Sequence, residues 1–79
     1  MDMNNIIVAL RELKEDSSTP KNVKLKMEEI EKMLGNNGET SMNITKAIHM
    51  IEELSEDANL QQFTRAQLLN LVAILEMNL

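Results

Sequence analysis

Cysteine, tryptophan and tyrosine are absent from this 79-residue chain, which holds one phenylalanine, one histidine, one proline and two glycines. Without cysteine there is no disulfide, no thiolate zinc site and no thiol nucleophile. One histidine cannot build a His-rich metal centre. With Phe63 as its only aromatic residue, the core must be made of Leu, Ile, Val and seven Met. Few β-branched runs and almost no aromatics argue against sheets. No apolar run reaches the roughly 20 residues that a membrane helix requires. No signal or transit peptide is recognisable, so the expected setting is the cytoplasm.

What is present reads as one small helical domain spanning residues 1–79. The chain is 43 % hydrophobic and 27 % charged, a globular balance. So short a chain buries only about 60 % of its unfolded surface, so ordered helix packing or oligomerisation must supply stability. The net charge of −5 repels phosphate backbones and anionic lipid, which weighs against nucleic acid and membrane as partners.

Apolar spacing predicts four helices. Met3, Ile6, Ile7, Leu10 and Leu13 mark the first, about residues 3–16, with Asp2 as a candidate N-cap. Thr19 is placed to cap the second, about 20–34, and Pro20 suits its first position. Val23, Met27, Ile30 and Leu34 form its stripe, and Gly35 stops it. The third, about 41–57, turns Ile44, Ala47, Ile48, Ile51 and Leu54 inward. The fourth, about 60–78, is charge-free from Ala66 to Leu75. Leu68, Leu71, Val72, Leu75 and Leu79 make its stripe, and Leu69, Ala73 and Ile74 widen it. A surface helix normally carries one apolar stripe. This one needs cover on more than one side, from the other helices or from a second copy of the chain.

The two halves match when one is slid by 41 residues. Ile7, Leu10, Glu12, Leu13, Glu15 and Asp16 fall on Ile48, Ile51, Glu53, Leu54, Glu56 and Asp57. Lys24 falls on Arg65, and Met27, Ile30, Met33 and Leu34 fall on Leu68, Leu71, Ile74 and Leu75. This predicts two similar hairpins, about residues 3–34 and 41–78, packed as a four-helix up-and-down bundle. Asp16 with Lys24, and Asp57 with Arg65, are the expected clips closing each hairpin.

The segment Glu15-Asp16-x-x-x-Pro20-Lys21-Asn22-Val23-Lys24 resembles the E-D-x-x-x-P-K-N-I-R stretch of a family of small, uncharacterised archaeal proteins. Ala47-Ile48-x-x-Ile51-x-Glu53-Leu54-Ser55-x-Asp57-x-Asn59 and Leu71-Val72-x-Ile74-Leu75-Glu76 look like that family's second half. The resemblance spans about residues 6–77. It implies a four-helix bundle of the bromodomain-like up-and-down type and a cytosolic archaeal origin. It implies no activity and brings no catalytic or binding residues. Gln61 stands where the family usually has a second proline, which loosens the second turn.

Tests for chemistry return little. His49 points away from the apolar face, and with Glu52 and Glu53 it lacks the ligand set of a zinc or iron site. A di-metal carboxylate bundle needs inward Glu-x-x-His pairs, and no Glu lies within an apolar stripe. Ser17, Ser18, Thr40 and Ser41 read as caps rather than nucleophiles. No glycine-rich phosphate loop exists. No catalytic, cofactor or metal residue is therefore expected. Lys21, Lys24, Lys26 and Lys32 make the second helix the most basic, without aromatic interleaving for base stacking. The expected role is a non-enzymatic protein–protein interaction or assembly module, whose partner is another protein or a second copy in a homodimer. The interaction residues expected are Leu69, Ala73, Ile74 and Met77. The alternative is an RNA- or ribosome-associated factor using the basic helix.

Overall fold

The computed structural model describes residues 3–35 and 40–79. They form an all-α four-helix bundle: α1 Met3–Glu15, α2 Lys21–Gly35, α3 Ser41–Ser55 and α4 Gln62–Glu76. Its radius of gyration is 11.4 Å, close to the roughly 11.6 Å of a compact chain of this length.

Each stripe lands in the core. Ile6, Leu10, Val23, Met27, Ile30, Ile51, Leu68 and Leu75 are all but sealed from solvent, and Met3, Leu13, Leu34, Ile44, Ala47, Ile48, Leu54, Leu71 and Val72 close around them. Leu79 departs from expectation. The last helical residue is Glu76, so Leu79 lies in the turn beyond the helix and is exposed. Asp2 lies outside the described residues.

Close packing joins chain neighbours: α1 with α2, α2 with α3, α3 with α4. Consecutive helices run antiparallel. Gly35 at the end of α2 lies beside Ile7 near the start of α1. Asn22 at the start of α2 donates to Asp57 just past α3.

The ends differ in how they are capped. Thr40 caps α3, its Oγ1 accepting from the Asn43 N–H at 3.2 Å. Thr19 does something else. It is buried and its hydroxyl donates to the Leu13 carbonyl at 2.9 Å, tying the turn back to α1. The first turn of α2 instead closes on the Pro20 carbonyl, which accepts from Lys24 N–H. Ser18 also caps no helix, since both its N–H and its hydroxyl donate to Asp16 Oδ1. Gly35 is the last residue of α2, and a methyl group there would only touch Ile7 at 3.9 Å.

The turns after α1 and α3 carry the same bonds, 41 residues apart. Asp16 Oδ1 accepts from Ser18 N–H, and Asp57 Oδ1 accepts from Asn59 N–H, both at 2.8 Å. The Asp16 carbonyl accepts from Thr19 and the Asp57 carbonyl from Leu60. Thr19 and Leu60 are both buried. Asp folds readily onto the backbone two residues on, which starts a turn without glycine.

Candidate interaction groove between the first and last helices

The bundle does not close evenly. α1 and α4 face each other, yet their backbones stay too far apart for the close packing seen between chain neighbours. Two adjoining clefts fill the gap. One, of about 300 Å³, is lined by Ala9, Glu12, Leu13, Asp16, Phe63, Gln67 and Leu71. The other, of about 440 Å³, is lined by Asn5, Ile6, Ala9, Gln67, Asn70, Leu71, Ile74, Met77 and Asn78. They share Ala9, Gln67 and Leu71, so they form one groove running along the bundle.

The floor of the groove is the flank of the core. Ile6, Leu13 and Leu71 are buried, and Ile74 is half-buried. Short Ala9 on α1 leaves the space that a larger side chain would fill. Phe63 and Met77 stand at the two ends of the α4 wall, 65 % and 84 % exposed.

Of the four interaction residues expected from the sequence, Ile74 and Met77 line this groove. Leu69 and Ala73 are exposed but lie on other sides of α4 and line neither cleft. The α1 wall was missed. Its signal was the short pair Asn5 and Ala9 beside the stripe, too slight to be read without knowing which helix faces which.

The hairpin clips take another form. Asp16 forms no close ion pair with Lys24 among the described residues: its carboxylate accepts from Ser18, and Lys24 attracts it only through charge. Arg65 does close the second turn, but through backbone carbonyls. Its Nε donates to Ser55 O at 2.7 Å and a terminal nitrogen to Asp57 O at 2.8 Å, while the other reaches Gln62 Oε1 at 2.7 Å. The Asp57 carboxylate is taken by Asn59 and Asn22.

No Glu enters the α2 stripe, but Glu31 beside it is buried. It is 9 % exposed on the flank of α2, where α1 covers it. Arg11 Nε donates to one oxygen at 2.9 Å and Lys14 Nζ to the other at 2.8 Å. A buried carboxylate held by two cations is a structural pair, satisfied on both oxygens. His49 is exposed on α3, and no three His, Cys, Asp or Glu converge among the described residues.

The charges give a pH dependence with a definite sign. The Ser18 hydroxyl and N–H hold the Asp16 carboxyl below its ordinary 3.8. Its contribution is therefore present above that value and lost as pH falls through the lower folded one. The hydrogen bond to Glu31 raises Lys14 above its ordinary 10.5. That contribution is present below 10.5 and lost as pH rises through the folded value. Thermal melts followed by circular dichroism should show a plateau from about pH 5 to about pH 9, with a decline on each side. Asp16→Asn should soften the acid decline, and Lys14→Met the alkaline one.

Among the described residues no helix is long and apolar enough to cross a membrane. No solved structure matches the chain. Two curated archaeal proteins do. A UPF0147 protein of Archaeoglobus fulgidus is 30 % identical over 74 residues, covering 94 % of this chain and 85 % of its own. A UPF0147 protein of Pyrococcus abyssi is 33 % identical over 76 residues, covering 94 % and 88 %. The profile of UPF0147, described as an uncharacterised protein family, matches residues 1–77, and the chain belongs to that family.

Proposed function

We propose that this UPF0147 protein is a non-enzymatic interaction or assembly module that binds through the α1–α4 groove. One observation carries the reading: the bundle leaves a groove with an apolar floor open along one side, with Phe63 and Met77 exposed at its ends. Helices that present such a groove recognise a partner helix by filling it. The lining offers no nucleophile–base pair, which suits binding rather than catalysis. We place the partner in the cytoplasm, in keeping with a cysteine-free chain. The module is read as two similar hairpins, supported by the matched turn bonds 41 residues apart.

The test is site-specific photo-crosslinking. A benzophenone side chain replaces Phe63, Met77 or His49 in the full chain, with His49 on another exposed face. In native cytosol, positions 63 and 77 should give the same single adduct, competed by unlabelled protein, and position 49 should not. Equal labelling from all three would sink the reading. An RNA partner would draw instead on Lys21, Lys24, Lys26 and Lys32, but Lys26 lies 3.6 Å from Glu29 and the surrounding glutamates dilute the patch. Because the chain lacks Trp and Tyr, bound RNA would show at once as absorbance at 260 nm.

A further inference from the structure

We infer that the occupant of the groove is an amphipathic helix of a partner protein, seated with a lysine or arginine beside Glu12 and Asp16. This rests on the groove being an interaction site. Charge selects the occupant. Glu12 on α1 and Asp16 just past its end both line the cleft that holds Phe63. No lysine or arginine lines either cleft. The cations of the two walls are engaged elsewhere. Arg11 and Lys14 bind Glu31 on the α2 side, and Arg65 binds the carbonyls of its own turn. Glu12 has no ion pair among the described residues. Lys24 on α2 attracts Asp16 through its charge without forming an ion pair, so the unpaired Glu12 carboxylate leads in receiving an incoming cation, and the exposed ring of Phe63 offers the same cation its electron-rich face.

The same inventory argues against a second copy as the occupant. Two identical groove faces bring four carboxylates together and supply no lysine or arginine. Among the described residues the opposite end of the groove is lined without charge, with Asn5 and Asn70 around Ile74 and Met77. An occupant therefore needs a basic residue at one end and apolar residues at helical spacing along the rest. Phe63 and Met77 are separated by about 21 Å of helix at 1.5 Å per residue, so the occupant is about four turns long.

The experiment uses the full chain and a displayed library of 16-residue, helix-forming random peptides, with enriched peptides synthesised and measured by fluorescence anisotropy. Two variants accompany the wild type. Glu12→Gln/Asp16→Asn removes both charges while position 16 can still accept from Ser18. Gln67→Arg places a long cation between the two clefts. We expect enriched peptides with a lysine or arginine at one end of an apolar face. Their affinity should fall about tenfold in the double variant and at least as far in Gln67→Arg. Peptides without a basic residue, indifferent to the double variant but displaced by Gln67→Arg, would overturn the charge inference and leave the groove reading standing. Peptides that ignore Gln67→Arg would overturn both. Self-association in sedimentation that the peptides compete away would also overturn the inference, in favour of a second copy.

Discussion

Leu68→Ala should lower the unfolding free energy by about 3 kcal/mol. Leu68 is fully buried in α4, within the core cluster to which all four helices contribute. Truncation removes three carbons and leaves a cavity, and helices held by backbone bonds relax only in part. A domain of this size loses roughly 4–8 °C of melting temperature per kcal/mol. The midpoint should therefore drop by more than about 12 °C. Its neighbour Leu69 supplies the control. Leu69 is about half exposed, so Leu69→Ala should change stability by less than about 0.5 kcal/mol. Urea titrations at 222 nm check both. Similar losses from the two variants would mean that α4 is rotated from the placement described.

Arg65→Met should cost about 2 kcal/mol, with no change in the residues that form the core. The guanidinium joins Ser55 O, Asp57 O and Gln62 Oε1, so one side chain satisfies the end of α3 and the start of α4 together. Methionine keeps the stem's packing and removes all three bonds. Arg65→Lys should recover little of the loss, because a single ammonium cannot match a planar fork reaching three acceptors. Lys24 occupies the matching place in the first half, and its side chain makes no hydrogen bond or ion pair among the described residues, acting on Asp16 only through its charge. Lys24→Met should therefore stay within about 0.5 kcal/mol. Thermal melts of the three variants decide the matter. Equal effects at positions 24 and 65 would show that the bonds to the second turn contribute nothing.

The contrast between these two positions shows where sequence reading reaches its limit. The stripes of all four helices were legible, because 3.6-residue periodicity acts on every residue of a helix at once. So were the stop at Gly35 and the cap at Thr40, which follow from local chemistry. The partner of each charged side chain was not. Asp16 and Asp57 look like clips for a base eight residues on, yet each first meets its own backbone two residues on. Glu31 looks like a solvent-facing acid on α2, yet α1 covers it. That outcome depends on how two helices are rotated about their axes, which no single helix's pattern encodes. The groove is of the same kind. Ile74 and Met77 were visible as surplus apolar residues, whereas Ala9 and Glu12 became a wall only when α1 was set opposite α4.

The uneven closure also bears on how the chain assembles. Every pair of helices in close contact is adjacent along the chain. No distant encounter must be found before stabilising contacts form, and helical folds with such local wiring reach their native state in roughly microseconds to milliseconds. The seam between the two outermost helices, having little to zip up, is left as the slack edge of an otherwise rapidly assembled barrel of rods.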